Sequence, residues 1–135
     1  MAIAIWSSQF ETGIDLIDSQ HKTLFEAVNR LEASFSLGDT DNAVKKSLDF
    51  LGKYTIEHFQ TEEQFMRVAG YPGLAKHMVE HSLLLTKLSD LKARLAEGTP
   101  LTMDVMTFFA GWLGHHIYGT DLAMVRFLKE KDRKR

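Results

Sequence analysis

Four potential metal ligands stand at two matching intervals between His58 and His81, in the stretch HFQTEEQFMRVAGYPGLAKHMVEH. His58 and Glu62 are four residues apart, as are His77 and His81, and a Tyr-Pro-Gly turn at 71–73 separates the two pairs. Residues four apart lie on one face of a helix, so each pair is able to present two donor atoms inward from its own helix. A single pair of this kind often arises by chance, but two pairs flanking one turn favour a metal site. Imidazole nitrogens together with a carboxylate suit iron, zinc or copper.

Length and composition restrict the class of protein. The 135 residues fit one domain, which is large enough to bury most of its apolar surface without covalent cross-links. Hydrophobic residues make up 44% of the chain and charged residues 25%, as in an ordinary globular protein. The chain contains no cysteine, which excludes disulfides, thiolate ligands and cysteine catalysis. Any metal must therefore use nitrogen and oxygen donors.

Charge and the N-terminal sequence bear on partners and location. The formal charge of −2 argues against nucleic-acid binding, although residues 129–135 are locally basic, as solvated helix ends often are. The start, MAIAIWSSQF, lacks the basic region of a secretory signal, and no apolar run approaches the roughly 20 residues of a membrane span. We therefore expect a cytoplasmic protein that does not insert into a membrane.

Helical patterning supplies the elements that position the ligands. Residues 1–17 carry large apolar side chains interrupted by Gly13, which predicts an extended arm that lies on the fold and is anchored by Trp6. Residues 18–131 predict four helices, the first capped by Asp18 and the second starting at Asp39 or Asp41, and residues 132–135 form a basic tail. The predicted helices cover about 18–37, 39 or 41 to 70, 74–97, and 102 onward. Short turns and the lack of a strand pattern predict an all-α, up-down-up-down antiparallel four-helix bundle, as a single domain over 1–135.

The remaining ligand candidates converge on one end of such a bundle. His21 lies early in the first helix and His116 late in the fourth, so antiparallel alternation brings five histidines and Glu62 to the same level. Asp121 is harder to place, because it is five positions after His116 and a straight helix would put it about 140° around the axis. A local widening of the helix near Gly119, of the kind seen at functional sites, would turn both side chains towards one centre.

Together these motifs resemble hemerythrin, and most closely the single-domain bacterial hemerythrins. The resemblance spans nearly the whole chain and is carried by IDSQHKTLF, HFQTEE, YPGLAKHMVEH and WLGHHIYGTD. It implies a non-heme diiron centre with an oxo or hydroxo bridge. The ligands it implies are His77, His81 and His116 on one iron, His21 and His58 on the other, and Glu62 and Asp121 as bridges.

Two neighbouring residues are set aside as ligands. The family's His-x4-Asp interval selects His116 over His115, which either faces solvent or approaches the site as a proton relay, and we expect it to face solvent. Glu63 is five residues after His58 and is expected to point elsewhere on its helix.

The resemblance implies reversible binding of dioxygen at the two-histidine iron, which keeps an open position, rather than enzymatic catalysis. Such binding would serve oxygen storage, delivery or sensing, with nitric oxide as a further candidate ligand and an oxygen-consuming or signalling protein as a candidate partner. Five apolar residues flank the ligands and are predicted to keep the site dry, although ordinary core packing explains each of them equally well: Phe25, Phe59, Trp112, Leu113 and Ile117. The alternative is a diiron oxidase or a ferritin-like iron- or peroxide-handling protein. Those proteins use Glu-x-x-His pairs, and none of the five ligand histidines belongs to one.

Overall fold

The computed structural model describes residues 3–38 and 41–133. Within these ranges the chain forms a 3₁₀ turn (Ser8–Phe10) and the helices α1 (Asp15–Ser36), α2 (Asp41–Ala69), α3 (Leu74–Ala96), α4 (Met103–His115) and α5 (Leu122–Arg133). A π-helical segment, His116–Asp121, joins α4 to α5, so the helices make four rods. Neither described range contains a strand, and none of their helices is long and apolar enough to cross a membrane.

The rods pack as the predicted up-down-up-down bundle. Helix α1 lies against α2 and α4, and α2 also contacts α3 and α5. At one end, Ile17 near the start of α1 is buried with Met66 near the end of α2 and Met124 in α5. Consecutive rods therefore run in opposite directions. Apolar residues at three- and four-residue steps face inward and fill the rest of the interior, among them Leu24 and Leu88.

The N-terminal arm is fastened to α1 by one polar side chain and by stacked rings. The Oδ1 of Asn29 accepts the backbone N–H groups of Ile3 (3.0 Å) and Ala4 (2.9 Å), and its Nδ2 donates to the Ala4 carbonyl (2.8 Å). The ring of Trp6 meets Phe25 edge to face at 5.4 Å between centroids. Trp6 therefore anchors the arm on the bundle, as predicted.

Helix α1 begins earlier than the sequence predicted. Its first residue is Asp15, so the expected N-cap at Asp18 is wrong and that residue lies in the first turn. The Asp18 carboxylate instead accepts the backbone N–H (2.9 Å) and the hydroxyl (2.7 Å) of Thr12, together with the N–H of Gly13 (3.2 Å). Gly13 has a φ of 84°, which a glycine adopts without strain. The side chain that resembled a helix cap thus closes the turn before the helix.

The other boundaries lie close to the predicted ones. Helix α2 begins at Asp41, one of its two predicted starts, and the other, Asp39, lies outside the described residues. Helix α4 is capped by Thr102, whose hydroxyl accepts the N–H of Val105 at 3.4 Å. The predicted basic tail begins inside α5, which runs to Arg133, and residues 134–135 lie outside the described ranges.

Candidate metal centre

Seven buried side chains with metal-binding chemistry meet inside the bundle, and each is at most 2% exposed. All four rods contribute to this set. Its members are His21 from α1, His58 and Glu62 from α2, His77 and His81 from α3, and His116 and Asp121 from the π-helical segment.

The seven residues form two groups that share both carboxylates. The three-histidine group contains His77, His81, His116, Glu62 and Asp121, and the two-histidine group contains His21, His58, Glu62 and Asp121. Within each group the ligand atoms lie within 4.8 Å of one another. Glu62 spans the two groups, with Oε1 3.1 Å from the Nε2 of His81 and Oε2 3.3 Å from the Nε2 of His58. Asp121 does the same, since Oδ1 is 2.9 Å from the Nε2 of His77 and Oδ2 is 3.1 Å from the Nε2 of His21.

The π-helical segment brings Asp121 to the centre. It begins at His116 and ends at Asp121, and the Nε2 of the first is 3.0 Å from the Oδ1 of the second. The predicted local widening of the helix is therefore confirmed. The adjacent His115 is exposed, as expected.

Most of the donor atoms lie close together without a hydrogen-bond partner in the described part of the chain, the exception being the Nε2 of His81 and the Oε1 of Glu62, which are within hydrogen-bonding distance at 3.1 Å. Within the described residues, no hydrogen-bond partner exists for the Nε2 atoms of His21, His58, His77 and His116, or for either carboxylate oxygen of Asp121. A buried polar atom left without a partner costs about 1–3 kcal/mol, so such atoms are rare in folded proteins. Atoms of this kind, gathered in two groups of imidazoles and carboxylates, are the donors that a transition-metal ion satisfies. The residues fit a metal cofactor.

Comparison with known proteins identifies the family. The family model described as Hemerythrin HHE cation binding domain matches residues 12–128. The chain belongs to the hemerythrin family. The resemblance inferred from the motifs is thereby confirmed.

Individual hemerythrins are similar to the chain over most of its length. The bacteriohemerythrin of Methylococcus capsulatus is 34% identical over 123 residues, which cover 90% of this chain and 93% of that protein. The bacteriohemerythrin of Stenotrophomonas maltophilia is 32% identical over 123 residues, covering 91% of this chain and 80% of that protein. The crystal structure of wild-type hemerythrin matches with a TM-score of 0.86 at 32% identity, covering 92% of this chain and 96% of that one.

In this hemerythrin, carboxylates support the outer nitrogens of the three-histidine group. The Nδ1 of His81 lies 3.0 Å from the Oε2 of Glu63, and the Nδ1 of His116 lies 3.0 Å from the Oε1 of Glu80. The hydroxyl of Thr120 donates to both oxygens of Glu80, at 2.9 and 3.1 Å. Because an ionised carboxylate only accepts, each ring must donate from Nδ1, which leaves the Nε2 lone pair facing the centre.

The two-histidine group has neutral support. The Nδ1 of His58 donates to the Oε1 of Gln20 at 2.7 Å, and the Nε2 of Gln20 lies 3.3 Å from the hydroxyl of Thr61. The contact with Thr61 fixes the amide with its oxygen towards the histidine. The Nδ1 of His21 has no hydrogen-bond partner among the described residues, and neither has that of His77 in the other group.

The roles of these outer residues were not predicted: Glu63 points elsewhere on its helix than the ligands, as expected, but its carboxylate reaches the outer nitrogen of His81 on the next rod. Each one is a neighbour in sequence of a residue of the centre: Gln20 precedes His21, Glu63 follows Glu62, Glu80 precedes His81 and Thr120 precedes Asp121. Such a neighbour lies about 100° around its helix, turned from the centre towards the adjacent rod. A polar residue next to a ligand in sequence could have predicted such a supporting contact, because a side chain in that position reaches a ligand on the neighbouring rod.

Aromatic rings cover two histidines of the three-histidine group. Phe59 stacks on His81 with centroids 3.6 Å apart and planes within 3°, and Trp112 stacks on His116 at 4.5 Å and 12°. Four of the five predicted apolar residues are buried and Trp112 is half-buried. The members of this set are Phe25, Phe59, Trp112, Leu113 and Ile117.

Opposed charges shift the pKa values of the metal-free cluster. Burial by itself lowers the pKa of His21 and of His77, but the carboxylates of Asp121 and Glu62 beside them outweigh burial and raise each pKa to about 9. Burial raises the pKa of Glu62, but the surrounding histidines, His58 foremost, hold it well below its usual range. The metal-free cluster therefore holds protons at neutral pH, and a metal must displace them in order to bind.

Proposed function

We propose that this chain binds dioxygen reversibly at a pair of irons held by the seven buried residues. The observation that carries the proposal is the pair of donor groups that share Glu62 and Asp121. Relatives named bacteriohemerythrin and myohemerythrin support it. When bound, such a pair supplies one electron from each iron to dioxygen and recovers both on release.

The donors are divided unequally between the two metal positions. His77, His81 and His116 would hold one iron, His21 and His58 the other, and Glu62 and Asp121 would bridge them. The three-histidine group therefore offers five residues and the two-histidine group four. The two-histidine position is one donor short, so we assign the external ligand to it. Nitric oxide, which is also a small diatomic molecule, is a second ligand to test there.

The protein must also keep water from the site, because water and protons would divert the bound ligand into irreversible products. Leu113 and Phe59 help to line a cavity of about 20 Å³ in the core. Its lining is apolar except for Thr55, whose hydroxyl donates to the Leu51 carbonyl at 2.6 Å. A buried water needs two to four polar partners, so this cavity suits an apolar molecule better than water. We therefore infer that Phe59 and Leu113 form a wall that excludes water. The other three predicted residues do not line this cavity, and we propose that they exclude water from their buried or half-buried positions near the ligands: Phe25, Trp112 and Ile117.

Iron analysis and an optical titration test the proposal together. Purified protein should contain two irons per chain. The reduced protein should be colourless, take up one dioxygen per iron pair with the appearance of a visible absorption band, and lose that band when oxygen is removed. A single iron per chain, or a tightly held zinc instead, would overturn the diiron assignment. Colour that never reverses would indicate the alternative class of diiron oxidases.

Affinity capture tests whether the chain acts as a sensor, in which a partner protein recognises either the oxygen-free or the oxygen-bound form. The chain is immobilised in its oxygen-free and oxygen-loaded forms and exposed to the same lysate. A protein retained by one form alone would indicate sensing, whereas equal retention by both forms favours storage or delivery.

A further inference from the structure

The two donor groups differ most in the charge behind their histidines. Two carboxylates, Glu63 and Glu80, stand behind the three-histidine group, whereas the two-histidine group has the neutral amide of Gln20. Their distances from the ring nitrogens are similar, at 3.0, 3.0 and 2.7 Å. The two groups therefore have similar hydrogen-bond geometry and unequal charge, of which Arg67, 3.9 Å from the Oε1 of Glu63, offsets a part. We call Glu63 and Glu80 the outer carboxylates.

A carboxylate behind an imidazole changes what the ring does at a metal. It draws on the Nδ1 proton, which makes Nε2 a more basic and more electron-rich ligand. Its own negative charge also favours positive charge nearby, and water screens this attraction only in part, because the rings of His81 and His116 are 1% and 2% exposed while the carboxylates of Glu63 and Glu80 are 17% and 33% exposed. An amide in the same place orients the ring without either effect. The outer carboxylates should therefore stabilise the more highly charged state of a metal in the three-histidine group.

We propose that Glu63 and Glu80 are positioning residues that make the three-histidine position the preferred site of ferric iron, while Gln20 keeps the two-histidine position ferrous. This inference rests on the proposed pair of irons. In the iron-loaded protein, an external oxidant such as ferricyanide would take its first electron from the position held by His77, His81 and His116, and ferricyanide would become ferrocyanide. The position that takes the external ligand thus retains its own electron until that ligand arrives.

Thr120 holds Glu80 in place for this role. The side chain of Glu80 is 33% exposed and would otherwise be free to turn towards water. The hydroxyl of Thr120 donates to both of its oxygens and directs one of them to His116. Thr120 lies in the π-helical segment between His116 and Asp121, so one irregular turn supplies two donors and the clamp on an outer carboxylate.

Isosteric substitutions separate charge from hydrogen bonding. Glu63→Gln and Glu80→Gln keep an oxygen that accepts from the histidine ring and remove the charge, whereas Gln20→Glu adds a charge behind His58. Glu57→Gln is the matched control, because Glu57 is an exposed residue of α2 and its loss changes the net charge equally. Glu80→Ala removes both charge and acceptor and should lower iron affinity 10–100-fold, the usual effect of losing such a partner.

The measurement is the pair of one-electron potentials of the iron-loaded protein, with Mössbauer spectra of the half-oxidised form. Glu63→Gln and Glu80→Gln should each raise the first one-electron potential by at least about 59 mV. That shift corresponds to a tenfold change in the equilibrium constant of the one-electron step. Gln20→Glu should lower the second potential. Both changes reduce the difference between the first and second potentials and therefore the fraction of half-oxidised protein. Glu57→Gln should leave that difference unchanged.

The failures of the two proposals are distinguishable. A parent protein that binds no iron pair defeats the proposed function, and this inference with it. A parent and variants that all hold two irons, with potentials equal to those of Glu57→Gln, would defeat the inference alone. The inference alone would also be defeated if Gln20→Glu bound two irons and left the difference between the two potentials unchanged. This test holds even if Glu63→Gln and Glu80→Gln fold poorly.

Discussion

Replacing Glu62 with alanine removes the donor on which both metal groups depend. The side chain is fully buried, and its two oxygens lie 3.1–3.5 Å from the Nε2 atoms of four histidines. Those histidines are His21, His58, His77 and His81. Because one change takes a bridging donor from both groups, the Glu62→Ala variant should lose both irons rather than one.

The expected loss of stability follows from linkage between metal binding and folding. Free iron at 1,000 times its Kd stabilises a folded protein by about 4 kcal/mol for each site that it fills. With about 2.1 cal/mol/K of unfolding entropy per residue, the 135 residues give about 0.28 kcal/mol/K, so this stabilisation corresponds to about 14 °C in Tm. The Glu62→Ala variant should show almost none of this increment.

The assay is anaerobic thermal unfolding with and without ferrous iron, paired with iron analysis of the same samples. Comparing chelated parent with chelated variant isolates what the carboxylate contributes without metal. Glu57→Ala, an exposed glutamate on the same helix, should keep two irons and the full increment. If Glu62→Ala also retained two irons and a Tm increment of the parent's size, Glu62 would not bridge the metals.

Three further predictions concern the cavity wall, the arm and pH. Leu113→Asn should speed conversion to the inactive ferric protein while the iron content stays at two per chain. The control is Leu37→Asn, a change at an exposed leucine, and equal rates of conversion in the two variants would show that Leu113 does not exclude water. Asn29→Ala removes three hydrogen bonds to the arm and should cost about 1–3 kcal/mol in urea unfolding, whereas an unchanged midpoint would mean that the arm adds no stability. In metal-free protein the pKa of His21 and of His77 is raised from 6.5 to about 9, so their stabilisation is complete below pH 6.5 and lost as pH rises through 9. The free energy of unfolding from urea titrations should fall over that window by roughly 3 kcal/mol per histidine, and a flat profile would contradict the shifts.

The bundle and the convergence of the seven residues were predictable because both depend on spacing within single helices. His58 with Glu62, and His77 with His81, share helix faces by their four-residue interval alone. Antiparallel order then brings the ends of the helices to one level. The π-helical segment was also predictable, because Asp121 is five positions after His116 and the two side chains reach one centre only if the helix widens.

The start of α1 was less predictable, because two local structures compete for the same carboxylate. An aspartate near a helix N-terminus accepts backbone N–H groups, and the chain before it offers such groups as readily as the helix does. Asp18 bonds to Thr12 and Gly13, and the helix begins three residues before it. Sequence shows the acceptor here without showing which donors it takes.

The outer residues were missed for a different reason, since their role depends on which rod lies beside which. Gln20 of α1 supports a histidine of α2, Glu63 of α2 one of α3, and Glu80 of α3 one in the π-helical segment. Going around the bundle, the supporting residue alternately precedes and follows its neighbouring ligand in sequence. This alternation follows from antiparallel packing, because reversing a helix reverses the side to which the next residue turns.

Because of this geometry, metal binding and the charge behind each histidine depend on different residues. Whether a metal is held depends on the seven inward residues, whereas the charge behind each histidine depends on positions one residue away, which no ligand spacing constrains. An amide at position 20 and carboxylates at positions 63 and 80 accept the same ring hydrogen, so exchanging them leaves the donor geometry intact and changes the charge behind the ring. The redox balance between the two metal positions can therefore be altered by isosteric substitutions outside the ligand set.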